Sequence, residues 1–299
     1  RAAAKNHSDV IVLTSPSQYQ DLLNALKKEG IKGISKDYRQ KLALKAFEHT
    51  ASYDIAISEW ISNQIKAPKS NFLQAIPLKK SLRYGENPHQ DANWYGSSEN
   101  GWGAAKQLQG KELSTNNLLD LEAALRTVLE FGYFEENSSY SPATSVIIKH
   151  TNPCGVATRD TIELSLSKAL DSDRVSAFGG IIAINKPVNK AAAKELKSLF
   201  IECVVAPEFD KEAKEILSSK PNLRLLELKK NSINNSCENN FRSILGGILV
   251  QDQDNEIVDK SDWEISTEIS PSKDQLDDLE FAWKVVRHVR SNAILISSK

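Results

Sequence analysis

Residues 144–157 read TSVIIKHTNPCGVA. The run 145–148 is apolar and largely β-branched, the pattern of a strand covered on both faces rather than one. It stops at Lys149 and His150, and Pro153-Cys154-Gly155 follow at once. A cation, a proton-transferring imidazole and a thiol therefore meet at one strand-to-loop junction. Four readings compete for it: metal ligands, a cysteine nucleophile, an acid/base pair, or a turn.

Runs of the same kind recur at 10–13, 181–184, 203–206, 223–228, 244–250 and 293–296. Helical periodicity lies between many of them. Leu118, Leu121, Leu125 and Val128 form one stripe within 117–131. Ile162, Leu166 and Ala169 form another within 160–170, opened by Asp160 with Glu163 three residues later. Leu276, Leu279, Trp283, Val286 and Val289 mark a third over 274–290. Strands alternating with helices predict α/β layers around a mixed or mostly parallel sheet. Two helical segments, 36–49 and 51–64, are expected ahead of a linker at 66–70, with a domain boundary near 65–80. A polar, Asn-rich loop is expected over 229–241.

The 299 residues are 40% hydrophobic and 26% charged, ordinary for a globular protein of about two domains. A formal net charge of −1 gives no broad pull toward nucleic acid or a membrane surface. Lys79-Lys80 and Lys229-Lys230 read as solvated surface. No apolar run approaches a membrane span, and no signal-peptide pattern opens the chain. Three cysteines, Cys154, Cys203 and Cys237, form no disulfide framework, so reduced thiols and a cytoplasmic location are expected. With no methionine anywhere, a helix-like pattern already under way at 1–4 and an unpartnered strand pattern at 293–299, the chain is expected to be a fragment cut at both ends.

Zinc fails on ligand count. A deaminase-type site pairs H-x-E with P-C-x-x-C, but Thr151-Asn152 follow His150 and Gly155-Val156-Ala157 follow Cys154. His7, His49, His89 and His288 lie at no ligand spacing from Cys154. A Cys154 nucleophile would need a base and a polarising setting, which four residues to His150 in a tight turn do not ensure. Gly103 to Gly110-Lys111 has the wrong spacing for a phosphate loop. Lys149-His150 remains, either as an acid/base pair at a strand end or as a solvated flank and a turn residue. Arg83, in LRYGENPHQ at 82–90, is suited to clamp a phosphate or carboxylate, with Tyr84 and His89 offering stacking or hydrogen bonds; a polar turn is the alternative. Asn116-Asn117 read most simply as a helix cap, and His288 as surface.

Eight stretches, taken in order, resemble one family. They are RAAAKNH (1–7), LRYGENPHQ (82–90), LSTNNLLDLEAA (113–124), KHTNPCGVA (149–157), SAFGGIIA (176–183), VVAPEFDKEA (204–213), LGGILVQ (245–251) and FAWKVVRHVRSNAIL (281–295). The family is that of the bifunctional AICAR transformylase/IMP cyclohydrolases of purine synthesis.

The resemblance implies formyl transfer from 10-formyltetrahydrofolate, the co-substrate, to the 5-amino group of AICAR, and closure of the product FAICAR to IMP. It implies that residues 1–75 end a cyclohydrolase domain and that 76–299 begin a transformylase domain of cytidine-deaminase-like α/β/α layers without its zinc. By motif, Lys149 and His150 match the catalytic cation and proton-transferring histidine, and Asn292 an asparagine orienting substrate. Lys5 matches a cyclohydrolase active-site lysine. Arg83, Tyr84, Asn117, Phe178 and Gly179 match substrate-binding positions. A homodimer is implied, with neither nucleic acid nor membrane as partner, and the resemblance leaves room for a monovalent cation. Arg174 and Thr115 depart from the family's frequent Pro and aromatic residue, away from the proposed chemistry. The fragment alone is expected to be inactive. The rivals are a zinc-dependent deaminase-like enzyme and a non-catalytic nucleotide-binding relic.

Overall fold

Helices dominate the first of two units, Arg1–Pro77 and Leu78–Lys299, into which the chain divides. The structure is a computed structural model describing residues 1–66, 70–135, 142–233, 239–256 and 259–298. In the first unit α1 (Ala2–Lys5), α2 (Tyr19–Glu29) and α3 (Lys36–Ile65) follow one another. Ala4 packs on Ala43 and Ala46, with Val12 partly buried beside them.

The two helices expected at 36–49 and 51–64 are one helix of 30 residues. Neither Gly nor Pro interrupts it, so the ladder runs on through Thr50, whose hydroxyl donates to the Phe47 carbonyl at 3.2 Å. Ser35 caps its start by accepting from the Tyr38 amide at 3.1 Å. Residues 10–13 are not a strand, because no described segment of this unit pairs with them. Part of the expected linker, 67–69, lies outside the described residues.

The second unit begins with an antiparallel pair, β1 (Leu78–Ser81) and β2 (Asn93–Tyr95), that brackets LRYGENPHQ. Next come β3 (Lys106–Gln109), α4 (Thr115–Leu129), β4 (Ala143–Lys149), β5 (Asn152–Arg159), α5 (Ile162–Ser172), β6 (Gly180–Ile184), α6 (Lys190–Ser198), β7 (Ile201–Ala206), α7 (Lys211–Leu217) and β8 (Arg224–Glu227). The chain continues through α8 (Lys230–Ile233), β9 (Asn239–Ile244), β10 (Gly247–Asp252) and α9 (Lys273–Val286).

Six strands form one mixed sheet in the order β3-β8-β7-β6-β4-β5. β6, β7 and β8 are parallel, joined through α6 and α7, while β3, β4 and β5 run antiparallel to their neighbours. The unbroken apolar runs are explained by two cores. Ile147, Ile182, Ile184, Val204 and Ala206 meet Leu166, Leu196 and Leu217 of α5, α6 and α7 on one face. Their neighbours Val146, Ile148, Ile181, Ala183, Cys203 and Val205 meet Leu121, Leu125 and Val128 of α4 on the other. Strand side chains alternate between faces, so helices on both sides require every position to be apolar.

Several local expectations are corrected. Helix α4 is capped by Ser114, not by Asn116-Asn117; Asn117 is the third helical residue and closes the capping box by accepting from the Ser114 amide at 3.1 Å. Thr161, not Asp160, caps α5. The run 244–250 folds as an exposed β9–β10 hairpin, since Gly246 takes the left-handed conformation (φ +77°) that turns the chain. Residues 293–296 form no strand.

Helix α9 ends at Val286 and buries Val285, leaving Leu279 and Trp283 about half exposed. His288 is not surface: its Nε2 lies 3.0 Å from Glu130, which Arg287 also meets at 3.3 Å. The Asn-rich loop contributes α8 and the start of β9; residues 234–238, including Cys237, lie outside the described residues. No helix of the described residues is long and apolar enough to cross a membrane.

Candidate active site

The junction at Lys149 and His150 is a hairpin turn rather than a strand running into a loop. β4 and β5 pair directly, Lys149 opposite Asn152, leaving His150 and Thr151 as the two turn residues. Both are left-handed, φ +51° and +62°, as a two-residue turn matching strand twist requires. Asn or Gly usually serves there, so two bulkier residues need outside support. The Thr151 hydroxyl donates to the His150 carbonyl at 2.7 Å, and the Asn152 amide donates to the same oxygen at 3.2 Å. From α4, Asp120 accepts the Thr151 amide at 2.7 Å. Pro153 is tolerated in β5 because that strand is at the sheet edge.

Because β4 runs against β6, its carboxyl end lies beside the amino ends of β6, β7 and β8. The expectation of a site at the carboxyl ends of strands therefore holds for β4 alone. Lys149 reaches across this end of the sheet, donating to the Phe178 carbonyl at 2.9 Å and the Gly179 carbonyl at 3.2 Å. Gly179 is left-handed (φ +68°), and a Cβ there would lie 3.1 Å from the Lys149 ammonium, so glycine both makes the bend and leaves room. Phe178 is 65% exposed and stacks on Phe200, centroids 4.7 Å apart.

Asn117 is buried at the first turn of α4 and donates to Glu202 at 2.8 Å. Arg224, at the start of β8, faces the same carboxylate at 3.6 Å and is held by the Glu112 carbonyl. Thr115 donates to the Tyr84 carbonyl at 3.1 Å and Asn116 to the Glu86 carbonyl at 3.3 Å, which fasten LRYGENPHQ to the start of α4. Arg83 is exposed and lies over the Tyr84 ring, 5.4 Å from its centroid. Asn152 accepts the Arg290 amide at 3.2 Å, tying the turn to the segment that carries the exposed Asn292.

Lys149, His150, Phe178 and Gly179 thus share one end of the sheet, and Asn117, Arg83 and Tyr84 are linked to it through α4. Lys5 belongs to the other unit, exposed in α1; His7 two residues on has a buried Nδ1 without a hydrogen-bond partner. Asp120, Glu202 and Arg224 were not singled out by sequence reasoning. Glu202 carried one available signal, a carboxylate inside an otherwise apolar strand run.

Burial raises the Asp120 carboxyl above its ordinary range, opposed by the Thr151 and His150 amides and by the charges of His150 and Lys149. Burial also pushes the Cys154 thiol up to about 11 and Cys203 up to about 12. Burial thus keeps both thiols in the un-ionised form at neutral pH, which works against a nucleophilic Cys154. Iodoacetamide at pH 7.5 is expected to label Cys154 and Cys203 at least about tenfold more slowly than a free thiol, followed by peptide mass spectrometry. Rapid labelling of Cys154 in the folded protein would contradict this. Among the described residues, no group of three or more His, Cys, Asp or Glu side chains is placed to hold a metal ion.

Comparison with known proteins agrees with these motifs. The family model described as "AICARFT/IMPCHase bienzyme" matches residues 3–299. The "Bifunctional purine biosynthesis protein PurH" of Prochlorococcus marinus (strain NATL1A) is 60% identical over 300 residues, covering 100% of this chain and 57% of the relative. The protein of the same name from Synechococcus sp. (strain CC9902) is 57% identical over 301 residues, 100% of this chain and 58% of the relative. The chain therefore spans little more than half the length of the curated relatives it matches. With residues 3–299 matched to that family model, the chain belongs to the AICARFT/IMPCHase bienzyme family.

Proposed function

We infer that the protein of which this chain is a part transfers a formyl group from 10-formyltetrahydrofolate to the 5-amino group of AICAR, and cyclises the FAICAR formed to IMP with loss of water. The observation that carries the reading is the clamped Lys149–His150 turn at the sheet end, with Asn117 and LRYGENPHQ linked to it by α4. In this reading residues 76–299 are the first part of the transformylase domain, of cytidine-deaminase-like layering, and residues 1–75 end the cyclohydrolase domain, where Lys5 acts.

The AICAR amine is a weak nucleophile because its lone pair is delocalised into the ring. As its nitrogen bonds to the formyl carbon, His150 takes the proton that the amine must lose, and the carbonyl oxygen gains negative charge. Lys149 stabilises that charge, fixed in place by the Phe178 and Gly179 carbonyls. The bond from the formyl carbon to the folate nitrogen then breaks, and the leaving nitrogen receives a proton, so amine and folate exchange formyl for hydrogen. Arg83 binds the substrate phosphate, Tyr84 and Asn117 contact the nucleotide, Phe178 and Gly179 border the heterocycle, and Asn292 orients the substrate. A homodimer in the cytoplasm completes the proposal.

The deaminase reading loses support because Thr151-Asn152 after His150 and Gly155-Val156-Ala157 after Cys154 leave out the Glu and the second Cys of its motif. The test is a formyl-transfer assay on the full-length protein with AICAR and 10-formyltetrahydrofolate, following tetrahydrofolate release. Turnover supports the reading; AICAR binding without turnover would favour a nucleotide-binding relic.

A further inference from the structure

We propose that Asp120 is the positioning residue of the Lys149–His150 turn, setting the imidazole against a substrate held from the same helix; this deepens the formyl-transfer reading and rests on it. His150 and Thr151 are consecutive left-handed residues, and neither is glycine. Such a backbone persists where the surroundings over-determine it. Two of its supports, the Thr151 hydroxyl and the Asn152 amide, lie within the turn and move with it. The bond from the Thr151 amide to Asp120 at 2.7 Å ties the turn to α4 instead.

Helix α4 is the element that also carries Asn117, one turn earlier on the same face. Asn117 donates to Glu202 at 2.8 Å and Glu202 in turn meets Arg224 at 3.6 Å, while Thr115 and Asn116 hold LRYGENPHQ. One helix thus indexes the nucleotide-contacting side and the proton-transferring side of the site. Asp120 touches neither reacting atom. Its carboxylate is half-buried, a position kept because it has a fixed donor. Without it, the turn can rock about β4 and β5, and His150 leaves the line between amine and folate nitrogen. Binding groups on α4 would be untouched.

The test compares Asp120→Ala, which removes the acceptor, with Asp120→Asn, which keeps an amide oxygen in its place, in the full-length protein. In Asp120→Ala, kcat for formyl transfer is expected to fall about 30-fold with KM for AICAR within about threefold, since misplacement by an ångström costs rates of that order. Asp120→Asn is expected to keep kcat within about fivefold of wild type. Hydrogen exchange of the Thr151 amide is expected to speed up in Asp120→Ala and not in Asp120→Asn, whatever the activity.

Unchanged exchange at Thr151 would overturn the proposal, as would an Asp120→Ala rate within about threefold of wild type or a KM rise that accounts for the loss. His150→Ala measured beside them separates the two readings. If His150→Ala keeps its rate, the catalytic role of the turn fails and Asp120 positioning fails with it. If His150→Ala is inactive and Asp120→Ala is not, only the Asp120 proposal falls.

Discussion

His150→Ala in the full-length protein is expected to lower kcat for formyl transfer at least about 100-fold while AICAR binding stays within about threefold. The imidazole is exposed on a turn whose backbone is held independently of it, by Asp120, by the Thr151 hydroxyl and by Asn152. Removing the ring therefore deletes the proton acceptor and leaves the scaffold. Histidine is enriched in the left-handed conformation and alanine is not, so those bonds hold the turn in the variant. Of the groups assigned to contact AICAR, Arg83, Tyr84 and Asn117 lie on LRYGENPHQ and α4, and Phe178 and Gly179 on the bend that holds Lys149, so none is carried by the deleted ring. The measurement is steady-state kinetics beside calorimetric titration with AICAR. A variant keeping most of its rate would show His150 to be a turn residue only, and the mechanism would be wrong. A variant that loses binding in proportion to rate would make His150 a substrate ligand rather than a proton acceptor.

Gly155→Ala is expected to destabilise by roughly 2–3 kcal/mol, lowering the melting temperature by about 5–10 °C. Gly155 lies in β5 under α5, and a Cβ there would fall inside the carbonyl oxygen of Ala169. Ala169 is fully buried in the core between β4 and α5, and a helix carbonyl cannot swing aside as a side chain can. Either α5 lifts off the sheet or β5 shifts along its edge, and both disturb the hairpin that carries His150. Gly247→Ala is the control. A Cβ at Gly247 meets nothing closer than 3.8 Å, so its effect is expected within about 0.5 kcal/mol. Equal melting temperatures for the two variants would mean that α5 does not press on β5 as closely as the structure has it.

Much of the fold was legible because its central strands carry a local signature. Residues 146–148, 181–184 and 203–206 are apolar at every position because helices cover both faces, and they lie in β4, β6 and β7. The same signature misled at 244–250, where two glycines convert an apolar run into an exposed hairpin. It also misled at 10–13 and 293–296, because a strand exists only with a neighbour to pair with. β5 was hidden by its Asn, Pro and Gly, residues poor in strand propensity that an edge position tolerates. The caps slipped by one to three residues, since Ser114 and Thr161 compete with the adjacent Asn and Asp on nearly equal terms.

What the sequence by itself determined is the α/β class, the family and the string that carries the candidate chemistry, all of them written in neighbouring residues. Only the tertiary structure decided that Lys149 would be held by Phe178 and Gly179, that Asp120, 31 residues before Thr151, would clamp its turn, and that Asn117 would face Glu202, 85 residues on. Those pairings follow from sheet order. With β4 antiparallel to β6, the end of one strand meets the beginnings of the next three, and strand order and direction arise from burying both faces of the sheet at once. No local stretch of sequence encodes that.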